Sequence, residues 1–145
     1  MKVIVQRCTN AKVTVDDNIV GKIDEGLLLL VGFTKNDDSI NIDYMIDKIL
    51  NLRIFDDENG IMNKSLIDTK GSILSISQFT LYADATKGRR PSYINALSGE
   101  VAIKLYEEFN TKIKNKGINI ETGIFGADMQ VTFTNNGPVT IILEK

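Results

Sequence analysis

Histidine is absent from all 145 residues. Ser-His-Asp and Cys-His arrangements, His-ligated zinc and an imidazole general base are therefore excluded. Cysteine is nearly absent: Cys8 stands alone, so neither an internal disulfide nor a four-thiolate metal site can form, and a reduced cytosolic setting is expected. The alternating apolar neighbours of Cys8 mark a buried structural thiol rather than a reactive one. Long apolar runs are missing too. Leu27 to Phe33, the longest, falls far short of the roughly 20 residues that cross a bilayer. The charges in Met1-Lys2-Val3-Ile4-Val5-Gln6-Arg7 flank too short an apolar stretch for a signal peptide, so a soluble, cytoplasmic chain without membrane contact is expected. Positive charge is not in excess: a net charge of −2 and a pI near 5.2 argue against bulk electrostatic capture of nucleic acid and leave room only for a local basic strip. Phosphate cradles are missing as well. There is no Gly-x-Gly-x-x-Gly, and Gly21 to Gly26 runs into Leu27-Leu28 instead of Lys-Ser/Thr.

Hydrophobic residues at 43% and charged residues at 25% describe one globular domain spanning 1–145, long enough to bury roughly two-thirds of its unfolded surface. Val3 and Val5, then Val13 and Val15, alternate as in strands. Asp16-Asp17-Asn18 marks a turn, Ile19 to Ile23 a returning strand, and Asp24-Glu25-Gly26 a second turn. Leu27 to Phe33 is apolar on both faces, as a central strand covered on both sides would be. Asn36 to Ser39 offers helix-starting side chains before a stripe of Ile42, Met45, Ile46 and Ile49. Arg53-Ile54-Phe55 is a short strand. The acidic run Asp56-Asp57-Glu58-Asn59-Gly60 fits a hairpin turn better than a calcium loop, whose ligand positions would fall on Phe55 and Leu66. Ser72 to Tyr82 is expected as one long strand. Ala102, Leu105, Tyr106, Phe109 and Ile113 form a second helical stripe capped at Gly117, and strands are expected over 118–124, 129–133 and 139–143. The expected fold is α+β: a mixed, mostly antiparallel sheet covered by two main helices.

Three polar clusters could carry chemistry. Ser77-Gln78-Phe79-Thr80 puts two hydroxyls and an amide at the end of an apolar strand, where the plainer alternative is a wet strand face. Asn135-Asn136-Gly137-Pro138 is turn chemistry between two strands, with no function required. Lys87-Gly88-Arg89-Arg90-Pro91-Ser92 could contact phosphate, with Ser92 capping the next helix, or could be a solvated loop.

Taken in order, Ser77-Gln78-Phe79-Thr80-Leu81, Lys87 to Ser92, Thr122-Gly123-Ile124-Phe125-Gly126-Ala127-Asp128-Met129 and Asn135 to Thr140 resemble the D-aminoacyl-tRNA deacylases. Val5-Gln6-Arg7 and the chain length extend that resemblance essentially end to end. One departure is Asn136, where the family usually has Asp; it removes a charge from that loop and is expected to alter hydrogen bonding rather than activity.

The resemblance implies hydrolysis of the ester between a D-amino acid and the terminal ribose of tRNA, by a homodimer with its site at the subunit interface. It implies catalytic roles for Ser77, Gln78, Phe79 and Thr80, with substrate binding by Arg7, Met129, Gly137 and Pro138. The Gly137–Pro138 peptide is expected cis, reaching across from the partner subunit and held by Arg7. Backbone N–H groups of Phe79 and Thr80 are candidates for an oxyanion hole. No base activates Thr80 as a nucleophile, and the ribose 2′-hydroxyl is expected to assist the water. Lys87, Arg89 and Arg90 are expected to contact tRNA, with Lys112, Lys114 and Lys116 as further candidates. No cofactor, metal or DNA is expected. A non-catalytic RNA- or amino-acid-binding module and an L-amino-acid proofreading domain are the alternatives.

Overall fold

The computed structural model describes residues 1–145. Along the chain come β1 (Lys2–Val15), β2 (Asn18–Gly32), α1 (Ser39–Asn51), β3 (Phe55–Asp56), β4 (Met62–Lys64), the single turn α2 (Leu66–Thr69), β5 (Ser72–Ser77), a 3-10 turn (Phe79–Tyr82), α3 (Gly99–Asn115), β6 (Ile120–Thr122) and β7 (Gln130–Glu144). The main sheet has the order β6-β5-β2-β1-β7. The long ladders that β1 makes with β2 and β7 are antiparallel, whereas the shorter β2–β5 and β5–β6 ladders are parallel. This is the expected α+β arrangement. None of the helices is long and apolar enough to cross a membrane.

The two-sided apolarity of Leu27 to Phe33 has its cause in the central place of β2. Leu27, Leu29 and Val31 pack with Ile42, Met45, Ile46 and Ile49 of α1 and with Phe109 and Ile113 of α3. Leu28 faces the other way, among Cys8, Ile23, Leu74 and Ile76. Burying one such side chain contributes about 2 kcal/mol, so the sheet faces dominate stability. Asp38 starts α1 by accepting from the Ile40 and Asn41 N–H groups while the Asn41 side chain accepts from the Asp38 N–H, a capping box worth about 1 kcal/mol. Lys112 ties the two helices, 2.7 Å from Asp43 of α1 and 2.9 Å from Glu108 of α3. That engagement removes it from the set of free cations. The acidic run turns between β3 and β4, Asp57 accepting from the Asn59 and Ile61 N–H groups.

Four expectations are corrected, each for a tertiary reason. Asp24-Glu25-Gly26 does not turn: β2 runs through it, and Gly26 (φ +146°) marks where β5 enters beside it. A Cβ at Gly26 would overlap the Ser72 carbonyl oxygen and lie 2.7 Å from the Ser72 nitrogen. β5 stops at Ser77 because its partner runs out. Val31 is the last β2 residue to pair with it, the Gln78 N–H takes the Val31 carbonyl, and the chain then coils into the 3-10 turn. Asn135 to Pro138 does not separate two strands. β7 is continuous, and Asn136, Gly137, Pro138 and Val139 stand opposite Arg7 alone, between the pairs Gln6–Thr140 and Cys8–Asn135. The turn-forming residues produce a wide bulge instead of a reversal. Finally, Ser98 rather than Ser92 precedes α3, and it makes no side-chain cap bond.

Candidate active site

Where β5 gives way to the 3-10 turn, a cavity of about 280 Å³ opens. Ser77, Gln78 and Phe79 form one side, and the β6–β7 connection brings Phe125, Ala127, Asp128 and Met129 to the other. Phe33 and Leu97 complete a largely apolar lining in which Asp128 is the only ionisable side chain. Gln78 Nε2 donates to Thr80 Oγ1 at 2.5 Å, which fixes the hydroxyl although Thr80 itself does not line the cavity. Phe79 and Thr80 open the 3-10 turn, so their N–H groups have no acceptor within it. Phe79 is 57% exposed and meets Tyr93 edge-on, ring centroids 5.0 Å apart.

A second cluster lies elsewhere on the sheet. Arg7 is 8% exposed; its Nη1 donates to the Ile54 carbonyl at 2.9 Å and to Asp56 at 3.1 Å, and its Nε to the Asn136 carbonyl at 3.2 Å. The guanidinium thus fastens the main chain just before Gly137–Pro138, whose peptide bond is cis. Gly137 and Pro138 themselves are exposed.

The sheet register separates the clusters. Ser77 is level with Val31 and Val3, whereas Arg7 is level with Leu27 and Ile73. β5 and β7 lie three strand spacings apart, and Ile73 is four residues before Ser77. Those intervals put the bulge about 20 Å from the cavity within one chain. The structure therefore brings Ser77, Gln78, Phe79 and Met129 together and keeps Arg7, Gly137 and Pro138 apart from them.

Lys87, Arg89 and Arg90 project on a loop closed at its base by the Asp84 and Ser92 main chains, which exchange two hydrogen bonds of 2.8 Å. All three are exposed, and none forms an ion pair. Hydrogen bonds from the Thr86 hydroxyl and N–H hold the Asp84 carboxyl below its usual range and stiffen the loop. Burial pushes the Cys8 thiol up to about 11, so it is no nucleophile near neutral pH. Sequence reasoning missed Phe125, Ala127 and Asp128 as cavity walls, although the Thr122–Met129 motif contained them. Their signal was a pair of glycines flanking an aromatic residue, which marks a connection folded back over the sheet.

A cleft with an amide, a single carboxylate and no imidazole, beside N–H groups left free at the start of a 3-10 turn, suits a substrate that is already reactive and needs to be positioned. The D-Tyr-tRNA(Tyr) deacylase family matches residues 4–144. A D-aminoacyl-tRNA deacylase of Clostridioides difficile (strain 630) is 57% identical over 145 residues, covering 100% of this chain and 97% of the relative. One from Anoxybacillus flavithermus (strain DSM 21510 / WK1) is 56% identical and covers 100% and 99%. A solved structure named c-Myc DNA Unwinding Element Binding Protein superposes with a TM-score of 0.94 at 40% identity, covering 100% of this chain and 99% of that one. Matched from end to end in sequence and in fold, this chain belongs to the D-Tyr-tRNA(Tyr) deacylase family.

Proposed function

We propose that this protein hydrolyses the ester between a D-amino acid and the terminal ribose of tRNA, releasing both, and that it acts as a homodimer. The observation that carries this reading is the cavity shared by Ser77, Gln78, Phe79 and Met129 in a chain of this family. The aminoacylated end of tRNA enters that cavity, and its apolar walls exclude water from all but the reacting ester. The Phe79 and Thr80 N–H groups receive the developing oxyanion, each such donor being worth about 3 kcal/mol in the transition state. Gln78, itself part of the cavity wall, fixes the Thr80 hydroxyl. With no histidine in the chain, the ribose 2′-hydroxyl assists the attacking water.

Rejection of the L form requires something unfavourable to it, because both enantiomers carry the same groups. The Gly137–Pro138 main chain, braced by Arg7, supplies a rigid wall where an L side chain would project. One chain holds this wall about 20 Å from its own cavity by the spacings of the sheet, so it serves the cavity of a second copy. β7, which carries the wall, is an edge strand with Ile142 65% exposed, which leaves it accessible to that copy. Lys87, Arg89 and Arg90 face tRNA phosphates, giving affinity that falls with salt.

Purified protein incubated with D-tyrosyl-, L-tyrosyl- and glycyl-tRNA should release D-tyrosine and glycine and spare the L ester, since glycine has no side chain to exclude. Release of nothing would make it a binding module, and a preference for the L ester would make it a proofreader. In Gly137→Ala the new Cβ would lie 2.9 Å from Val139 Cγ2 and 3.0 Å from Arg7 Nη2 at a φ of +121°. The wall must shift, and hydrolysis of L-tyrosyl-tRNA relative to the D ester should rise about tenfold. An unchanged ratio would count against the main-chain wall.

A further inference from the structure

Gly123 follows β6, and its N–H donates to the Ser75 carbonyl at 3.1 Å. The same carbonyl accepts from the buried Tyr106 hydroxyl at 2.8 Å. The first bond ties the Gly123 main chain to β5 two residues before Ser77, and the second anchors the carbonyl it is tied to, which opposes a retreat of the glycine. Its φ is not positive, so an alanine could adopt the same backbone. What an added methyl group meets is a side chain: it would overlap Met129 Sδ, with Ile76 Cδ1 at 3.3 Å closing another direction. Met129 lines the cavity, and its thioether is flexible enough to move without unfolding anything.

We infer that Gly123 is a positioning residue that sets how far Met129 reaches into the cavity, and through it how well the terminal aminoacyl-nucleoside is held. The bare glycine lets the thioether lie back against the β6–β7 connection. A methyl group there drives the sulfur away from Gly123 and into space that the substrate needs. The inference rests on the substrate reading above, and a binding measurement separates the two.

The probe is a non-hydrolysable amide analogue of D-tyrosyl-adenosine, titrated calorimetrically into the intact wild-type, Gly123→Ala, Met129→Ala and double-variant proteins. Gly123→Ala should weaken binding about tenfold. In steady-state deacylation KM should rise by a similar factor while kcat changes less than about twofold. On the Met129→Ala background the same substitution should have no effect, since the group it displaces is gone. Additive losses in the double variant, a loss confined to kcat, or unchanged affinity in Gly123→Ala would each overturn the inference. If the analogue binds in this pattern but wild-type protein releases no amino acid from D-tyrosyl-tRNA, the proposed reaction falls while the role of Gly123 stands. Failure of the analogue to bind wild-type protein overturns both.

Discussion

Replacing Arg7 with alanine should lower kcat/KM for D-tyrosyl-tRNA about 100-fold while leaving a folded protein. The guanidinium holds the Asn136 carbonyl, the Ile54 carbonyl and Asp56 together from a nearly buried position. Asp56 has a half-exposed side chain, so the ion pair itself adds little. The structural cost comes from the buried Ile54 carbonyl, which loses its donor, at about 2–3 kcal/mol. A domain of this size has a stability of about 5–15 kcal/mol and survives that loss. Activity suffers more because the four residues opposite Arg7, which we propose seat the D-aminoacyl group as well as exclude the L form, lose their brace, and a displacement of about 1 Å in a positioning element costs about 100-fold. Arg7→Lys should recover little, since an ammonium is a point charge that cannot hold three acceptors in the fixed plane of a guanidinium. Urea unfolding alongside deacylation kinetics checks this. Activity within about threefold of wild type in a folded Arg7→Ala protein would show that the bulge does not need its anchor.

Gly26→Ala should have the largest effect on stability. Gly26 sits in the middle of β2 with Ser72 of β5 directly beside it, and the new Cβ would overlap main-chain atoms that cannot rotate away. Its φ of +146° is also strained for any residue with a Cβ. The conflict can be relieved only by parting β2 from β5. That move would expose Ile73 and Leu74, which are fully buried, and would dislodge the strand that ends at Ser77. A loss above about 4 kcal/mol is expected, enough to leave little folded protein at 37 °C. Thermal unfolding followed by circular dichroism measures it, and a melting temperature within a few degrees of wild type would contradict the packing described for Gly26.

Much of this fold was legible in the sequence. The stripes of α1 and α3, the hairpin turn at Asp16-Asp17 and the double-sided Leu27 to Phe33 strand all follow from local periodicity, because one face or two must be buried whatever the neighbours are. Gly26 and Gly137 were misread for a common reason. Glycine and proline announce a departure from regular geometry but not its sense, which depends on what lies alongside. Gly26 admits a neighbouring strand, and Gly137 lets a strand bulge around an arginine, yet in sequence both look like reversals. The end of β5 was hidden similarly: Ser77 to Tyr82 keeps strand-like residues, and only the end of β2 stops the ladder. As for the site, each polar cluster alone was explicable as a turn or a wet strand, and their order along the chain carried the family resemblance. No local signal could show that Arg7 and Ser77 are held far apart within one chain.

That separation is tested most directly by mixing two inactive proteins. Ala127→Trp fills the cavity and should abolish hydrolysis by its own cavity; Arg7→Ala should disable the bulge that we propose serves the other copy. If cavity and wall come from different subunits, each mixed dimer holds one intact site made from the sound half of each variant. Random exchange of subunits should then restore D-tyrosyl-tRNA hydrolysis to about a quarter of the wild-type rate. If each chain builds its site alone, the mixture stays as inactive as its components, and the account of a shared site is wrong.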